Sequence, residues 1–370
     1  KTEIYGDSNL GGMVGTFIMS EGYPPKNIPL VEPTIYRCQV EDSKIGTSFS
    51  KDYIGGLIGY VGNAFIKSCG STDVIVEGET NIGGLVGEYS EIIKAENCQT
   101  SGNFPNGYVQ GKENVGGLIG FAHPGGGSIE RQITISTSSI DVRSTSHILE
   151  GRVGGLVGYS NNILISGCST NNKIIVSNSY NIGGLVGASV FCTLECSSSN
   201  ASIDVAFSKY IGGLIGVSDI DEIINYCYSN SAIDASSSSF IGGLIGDLKE
   251  GGLSLCYSKG IISLDECGVV GGLIGKIGGG KPGSQRVEQC YSEASIYTDT
   301  EGECLGGLIA SADDSVVSDS YAIGSIYKSS SISTNNCCGG LIGQIGNTVA
   351  VLNTYACGNI DGDSDIGGLV

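Results

Sequence analysis

The side chains able to do chemistry here are cysteines, acids and two histidines, and their spacing limits what they can do. Fourteen cysteines occur in 370 residues, none of them in a CxxC pair, and His123 and His147 are the only histidines. A zinc site therefore lacks ligands at workable spacing. So many cysteines fit an oxidising, extracytoplasmic compartment better. Nucleophilic catalysis lacks its signatures too. There is no GxSxG elbow and no HExxH, and neither histidine has a persuasive Ser or Cys partner or an acid placed to build a hydrolase site.

Four aspartates, Asp204, Asp234, Asp265 and Asp361, recur 21 to 23 residues after a repeat start, each behind an apolar residue. A ladder this regular suits solvent-facing strand positions or diffuse calcium binding. A lyase or glycoside hydrolase needs acids clustered over a few adjacent coils. Asn200-Ala-Ser202 is one candidate N-glycosylation sequon. Gly278-Gly-Gly-Lys281 lacks the GxxxxGK[ST] spacing of a phosphate loop. No catalytic constellation and no cofactor site emerges, so the reading is of a protein that is not an enzyme.

The elements that carry these residues are repeats. Gly-Gly-Leu, once Gly-Gly-Met, begins at Gly11, Gly55, Gly83, Gly116, Gly154, Gly183, Gly212, Gly242, Gly271, Gly306, Gly339 and Gly367. The modal interval is 28 to 30 residues, with insertions in a few copies. Agreement extends past the tripeptide: Ile241-Gly-Gly-Leu-Ile-Gly246 leads to Leu253-Ser-Leu-Cys256-Tyr-Ser258 and then Gly260-Ile-Ile-Ser-Leu264. These segments are short and rich in isoleucine and valine, which reads as strand. The expected fold is all-β: a right-handed parallel β-helix (β-solenoid) over residues 1–370, with about twelve coils and three short strands per coil. Stacked about 4.8 Å apart, the coils would make a rod on the order of 55 Å long. A β-propeller, with roughly 40 residues per blade, fits poorly.

The Gly-Gly-Leu-[Ile/Val]-Gly core, followed about 14 residues on by Cys-Tyr-Ser, resembles the GLUG motif from Gly11 to Val370. That resemblance implies a large secreted or surface protein, as in bacterial adhesins and the non-catalytic region of certain immunoglobulin A peptidases.

The paired glycines allow two arrangements. Either Gly55-Gly56 breaks the strand alternation and puts Ile54 and Leu57 both inside, or one apolar ladder lies exposed along the rod. Counted from the motif glycine, Cys69, Cys98, Cys168, Cys196, Cys227 and Cys256 fall at +13 to +15 and form one expected column. Buried cysteine in such a ladder behaves as a small hydrophobe, or neighbours are bridged. Cys304 and Cys337 each sit two residues before a Gly-Gly on consecutive coils and are the best disulfide candidates.

Insertions fall at Glu21–Pro33, after His123 and after Ile277, and residues 1–54 read as an irregular first coil. The chain starts without a leader and stops inside a motif, so a removed signal peptide and a longer parent are expected. Uncapped coils expose strand edges that another copy could cover head to tail. The net charge of −19 disfavours nucleic acid and anionic membrane, and no apolar run reaches bilayer length. Together these features predict an extracellular, cell-surface rod or stalk of a filament, appendage or adhesin. Its partners would be other copies, glycans or surface proteins. The alternatives are a carbohydrate-active β-helix enzyme and the passive spacer of a secreted peptidase.

Overall fold

One coil sets the pattern for the molecule. A glycine strand, Lys209–Gly212, is followed by a second strand Ile215–Ser218, a third Glu222–Asn225, a fourth Tyr228–Ser229 and a fifth Ala232–Ser236. The next glycine strand, Ser239–Gly242, pairs parallel with the first, Ile211 against Ile241 and Gly212 against Gly242. The structure, a computed structural model, describes residues 2–18, 33–123, 131–145, 151–281, 283–298, 304–328, 337–361 and 366–370. Across them twelve glycine strands form one parallel sheet, from Ser8–Gly11 to Ile366–Gly367, and no helix occurs among the described residues. The chain is a parallel β-solenoid.

The expected three segments per coil fall in three sheets, and short breaks divide two of them, so that the coil counts five strands. Asp221, Tyr226 and Ser237, which lie between strands, have φ of 48°, 54° and 46°. Each turns the chain by one residue, with no glycine to announce it.

The Gly-Gly pair is a bend. Ile54, Leu57 and Ile58 are all fully buried, so no apolar ladder is left outside. Neither Gly55 nor Gly56 has a positive φ; the constraint is space. A Cβ on Gly55 would lie 1.9 Å from the Ile58 carbonyl oxygen, and one on Gly56 1.9 Å from that of Gly84 in the next coil. Only glycine lets the backbones approach this closely.

Cys-Tyr-Ser is the opposite wall of that bend. The serine points inward and its hydroxyl donates to the carbonyl of the second motif glycine: Ser71 to Gly84 at 2.7 Å, with Thr170 to Gly184 equivalent at 2.7 Å. The tyrosine points outward. The cysteine caps the corner, its thiol donating to the carbonyl two residues back, as Cys227 does to Asn225 at 3.2 Å. Its sulfur also accepts from the preceding coil, Cys227 N–H to Cys256 Sγ at 3.3 Å. Where serine stands instead, the bonds persist: Ser197 donates to the Glu195 carbonyl at 2.9 Å and accepts from Cys168 N–H at 3.2 Å.

The cysteine column therefore differs from the expected one at a single coil. Strand register sets Leu194 against Ile224 and Glu195 against Asn225, so Ser197, not Cys196, stands beside Cys227. Cys196 takes the left-handed corner position (φ 48°) and is exposed. Cys38 and Cys290 belong to the column and share its bonds.

Disulfides are corrected as well. All fourteen cysteines are described and none is bridged. Cys304 and Cys337 are direct neighbours in register, yet the Cys304 thiol donates instead to Gln344 Oε1 at 3.4 Å. Burial pushes the thiols of Cys98 and Cys168 up to about 12, which keeps them protonated.

Candidate functional site

Because Gly-Gly folds the sheet inward, the outward side chains just before and just after it face each other across a shallow groove along the axis. One wall is the residue two before the first glycine, the other the residue five after it. The first column runs Tyr53, Asn81, Asn114, Arg152, Asn181, Tyr210, Phe240, Val269, Cys304, Cys337; the second runs Tyr60, Glu88, Phe121, Tyr159, Ala188, Val217, Asp247, Lys276, Ser311, Gln344.

The N-terminal stretch is polar and aromatic. Asn81 Nδ2 donates to Glu88 Oε2 at 2.6 Å, and Asn114 Nδ2 to Asn81 Oδ1 at 2.7 Å. Arg152 Nη1 donates to Asn114 Oδ1 at 3.1 Å and to Glu113 Oε1 at 3.3 Å. The other Glu88 oxygen lies 3.3 Å from His123 Nε2. Above and below stand rings: Tyr53 meets Tyr60 edge-on at 5.8 Å, and Phe121 stacks on Tyr159 at 5.0 Å and meets His123 at 4.8 Å. The Arg152 guanidinium sits 4.9 Å over the Tyr159 ring. Tyr60 Oη and Ser90 Oγ share a hydrogen bond of 2.7 Å. Asn81, Asn114 and Glu88 are buried, so this chain of bonds fixes their rotamers, while the rings, His123 and Arg152 are half-exposed.

The C-terminal stretch is different. Tyr210 stacks on Phe240 at 5.3 Å, with Lys209 5.0 Å from both ring centres. Asp247, buried, carries Oδ1 with no hydrogen-bond partner among the described residues. Burial lifts its carboxyl to about 6 against the pull of Lys276 and Lys249. Beyond it the groove closes over an apolar patch of Val269, Cys304 and Ala310, against which Phe240 and Cys337 pack.

A second outward feature is a tyrosine ladder on the fourth strand. Tyr228, Tyr257, Tyr291, Tyr321 and Tyr355 stack with centroids 4.9 to 5.0 Å apart and rings within 8° of parallel.

Of the acids singled out in sequence, only Asp204 and Asp234 are adjacent. Asp234 pairs with Ser263, and the column continues through Tyr297 and Tyr327 to Asp361, while Asp265 stands two residues further along its strand, opposite Ser236. These four aspartates are exposed and form no shared site; among the described residues no group of acids, histidines and cysteines is placed to hold a metal ion. Asn200 is exposed, its Oδ1 accepting from Asn230 Nδ2 at 3.1 Å. His147, most of the first insertion and residues 124–130 after His123 lie outside the described residues. Lys281 lies in the third insertion, where Gly278 and Gly279 take positive φ.

The pairing of His123 with Glu88 is one the sequence reading, which looked only for an acid placed to build a hydrolase site, did not pick out. The two are 35 residues apart, and an insertion follows His123. Counting from the motif glycine would have found the pair: Glu88 is at +5 and His123 at +7 in the next copy.

The fold thus defines a class, the parallel β-solenoids, with an outward groove as its candidate site. Compared with family models, curated proteins and solved structures, the chain matches none, so the GLUG resemblance rests on the motif residues alone.

Proposed function

We propose that this chain is the rod of an extracellular surface filament, appendage or adhesin, acting through contacts along its faces, in keeping with its GLUG-like repeats. The observation that carries the reading is the constancy of the interior against the variety of the exterior. Every fully described coil repeats the glycine bend, and the wall opposite supplies serine, threonine or alanine at one position. Outward columns change along the rod, as where glutamine, threonine and serine on the fourth strand give way to a run of tyrosines. A solenoid whose coils rest on their neighbours is a stiff spacer with long, repeated surfaces. The acidic net charge of −19 favours solubility over nucleic-acid or membrane contact. The absence of disulfides removes the cysteine count as support for an oxidising compartment, so the extracellular part of the reading rests on the repeat type.

Electron microscopy of protein from its native source tests this. Filaments, or rods projecting from a larger surface assembly, are the expected result. Isolated protein confined to the cytoplasm would overturn it.

A further inference from the structure

The polar, aromatic stretch of the groove departs from the repeat in a way that packing does not require. At the same two positions the next coils carry Ala188 and Val217, and where rings and charges return, as Tyr210, Phe240, Asp247 and Lys276, no run of hydrogen bonds like that from Arg152 to Glu88 links them. Over four coils those positions carry Tyr53, Tyr60, Asn81, Glu88, Asn114, Phe121, Arg152 and Tyr159 instead.

We infer that this stretch, centred on Tyr60, Glu88 and His123, is a binding site for a neutral, linear carbohydrate chain. It rests on the reading of the faces as contact surfaces, though not on filament formation.

Three arguments fix the ligand class. The first is shape: a groove parallel to the axis over four coils offers roughly 15–20 Å of continuous floor, suited to an extended chain. The second is charge. Arg152 is engaged by Glu113 at 3.3 Å, and both Glu88 oxygens are engaged by Asn81 and His123. Arg152 is thus taken up by a carboxylate of its own chain and offers no free cation to an anionic ligand, and the −19 net charge repels a polyanion. The third is chemistry. What the stretch offers outward is phenol hydroxyls, an imidazole nitrogen and ring edges, a mixture that matches a ligand of alternating hydroxyl and C–H surface. The bonds from Arg152 through Asn114 and Asn81 to Glu88 hold the polar groups before any ligand arrives, which lowers the ordering cost of binding.

The test is titration calorimetry of the whole chain against cellohexaose, laminarihexaose, maltohexaose and mannohexaose, with polygalacturonate as the acidic comparison. Binding to at least one neutral hexasaccharide is expected. His123→Ala and Tyr60→Phe should each weaken it about tenfold, the loss of roughly one hydrogen bond, with an unchanged circular dichroism spectrum. Tyr257→Ala, on the tyrosine ladder, should bind as well as the parent. No binding to any neutral probe, preference for polygalacturonate, or affinity that survives both groove variants would overturn the inference. Tyr60→Phe keeps the ring, so a folding defect cannot imitate the result. Filaments seen without sugar binding would leave the rod reading standing and remove only this site.

Discussion

The N-terminal and C-terminal coils share an interior and differ outside. Outward on the fourth strand the early coils carry Gln39, Gly70, Gln99, Thr137, Ser169 and Ser198, and the later ones five consecutive tyrosines from Tyr228 to Tyr355. In the groove the order reverses. The early coils hold the hydrogen-bonded network of Asn81, Glu88, Asn114 and Arg152, and the later ones close over Val269 and Cys304. One backbone therefore supports two surfaces, and the interior residues are the invariant part. The lesson is that a solenoid repeat specifies shape, while its outward columns are open to separate uses.

The comparison breaks most sharply at the glycines. Gly84 and Gly243 belong to different halves, yet a Cβ on either would meet the next coil's carbonyl oxygen, of Gly117 or Gly272, at 2.1 Å. Gly84→Val and Gly243→Val should each cost about 3–5 kcal/mol or abolish soluble expression. Urea unfolding that found one of them harmless would show that the interiors are not equivalent.

Between the halves sits Glu222, buried at a corner where other coils have Ile163 or Cys192. Its carboxylate accepts from Ser189 Oγ at 2.9 Å and Cys192 N–H at 3.3 Å, and burial raises its pKa from 4.5 to about 8. A raised carboxyl favours the folded state fully below its unfolded value, and that contribution is lost as pH climbs through the folded value. Stability should therefore fall from about pH 4.5 to about pH 8, by about 4–5 kcal/mol when the shift is fully expressed. Glu222→Gln should flatten that slope in denaturant midpoints measured across the range, and an unchanged slope would mean the carboxyl is not the cause.

Ser258 donates across the interior to the Gly272 carbonyl at 2.5 Å. Ser258→Ala leaves a buried carbonyl without its partner, an expected loss of about 1–3 kcal/mol. Cys227→Ser should be nearly silent by the same assay, because Ser136, Ser197 and Ser320 already make that corner's bonds elsewhere. A modest effect belongs to the surface that only the later coils have. Tyr291→Ala removes stacking on Tyr257 and Tyr321 and should cost about 1 kcal/mol. A larger loss would make the ladder structural rather than an exposed surface.

The repeat and its parallel stacking were legible because the Gly-Gly motif keeps register through every insertion, whereas the choice between a glycine bend and an exposed apolar ladder waited on the burial of Ile54, Leu57 and Ile58. The corners were not legible, since they are turned by residues such as Phe207 and Tyr226 whose type gives no sign of a left-handed backbone. Cys196 misled for the same reason: one position from the column, it is the corner itself. Cys304 and Cys337 were correctly placed side by side, but both are free, and the Cys304 thiol's bond to Gln344 is nothing that spacing encodes. The groove was missed because its two columns are separated along the chain by the bend that brings them together.

The hydrogen bonds that join coils run parallel to the axis, and each coil is held chiefly by the next. Tension applied to the two ends of the chain would therefore load one terminal coil at a time instead of the whole stack. Extension should proceed by unspooling, each step releasing a modal 28 to 30 residues, roughly 100 Å of contour. Such a rod would lengthen in increments under load and rewind when the force drops, behaving as a shock absorber as well as a spacer.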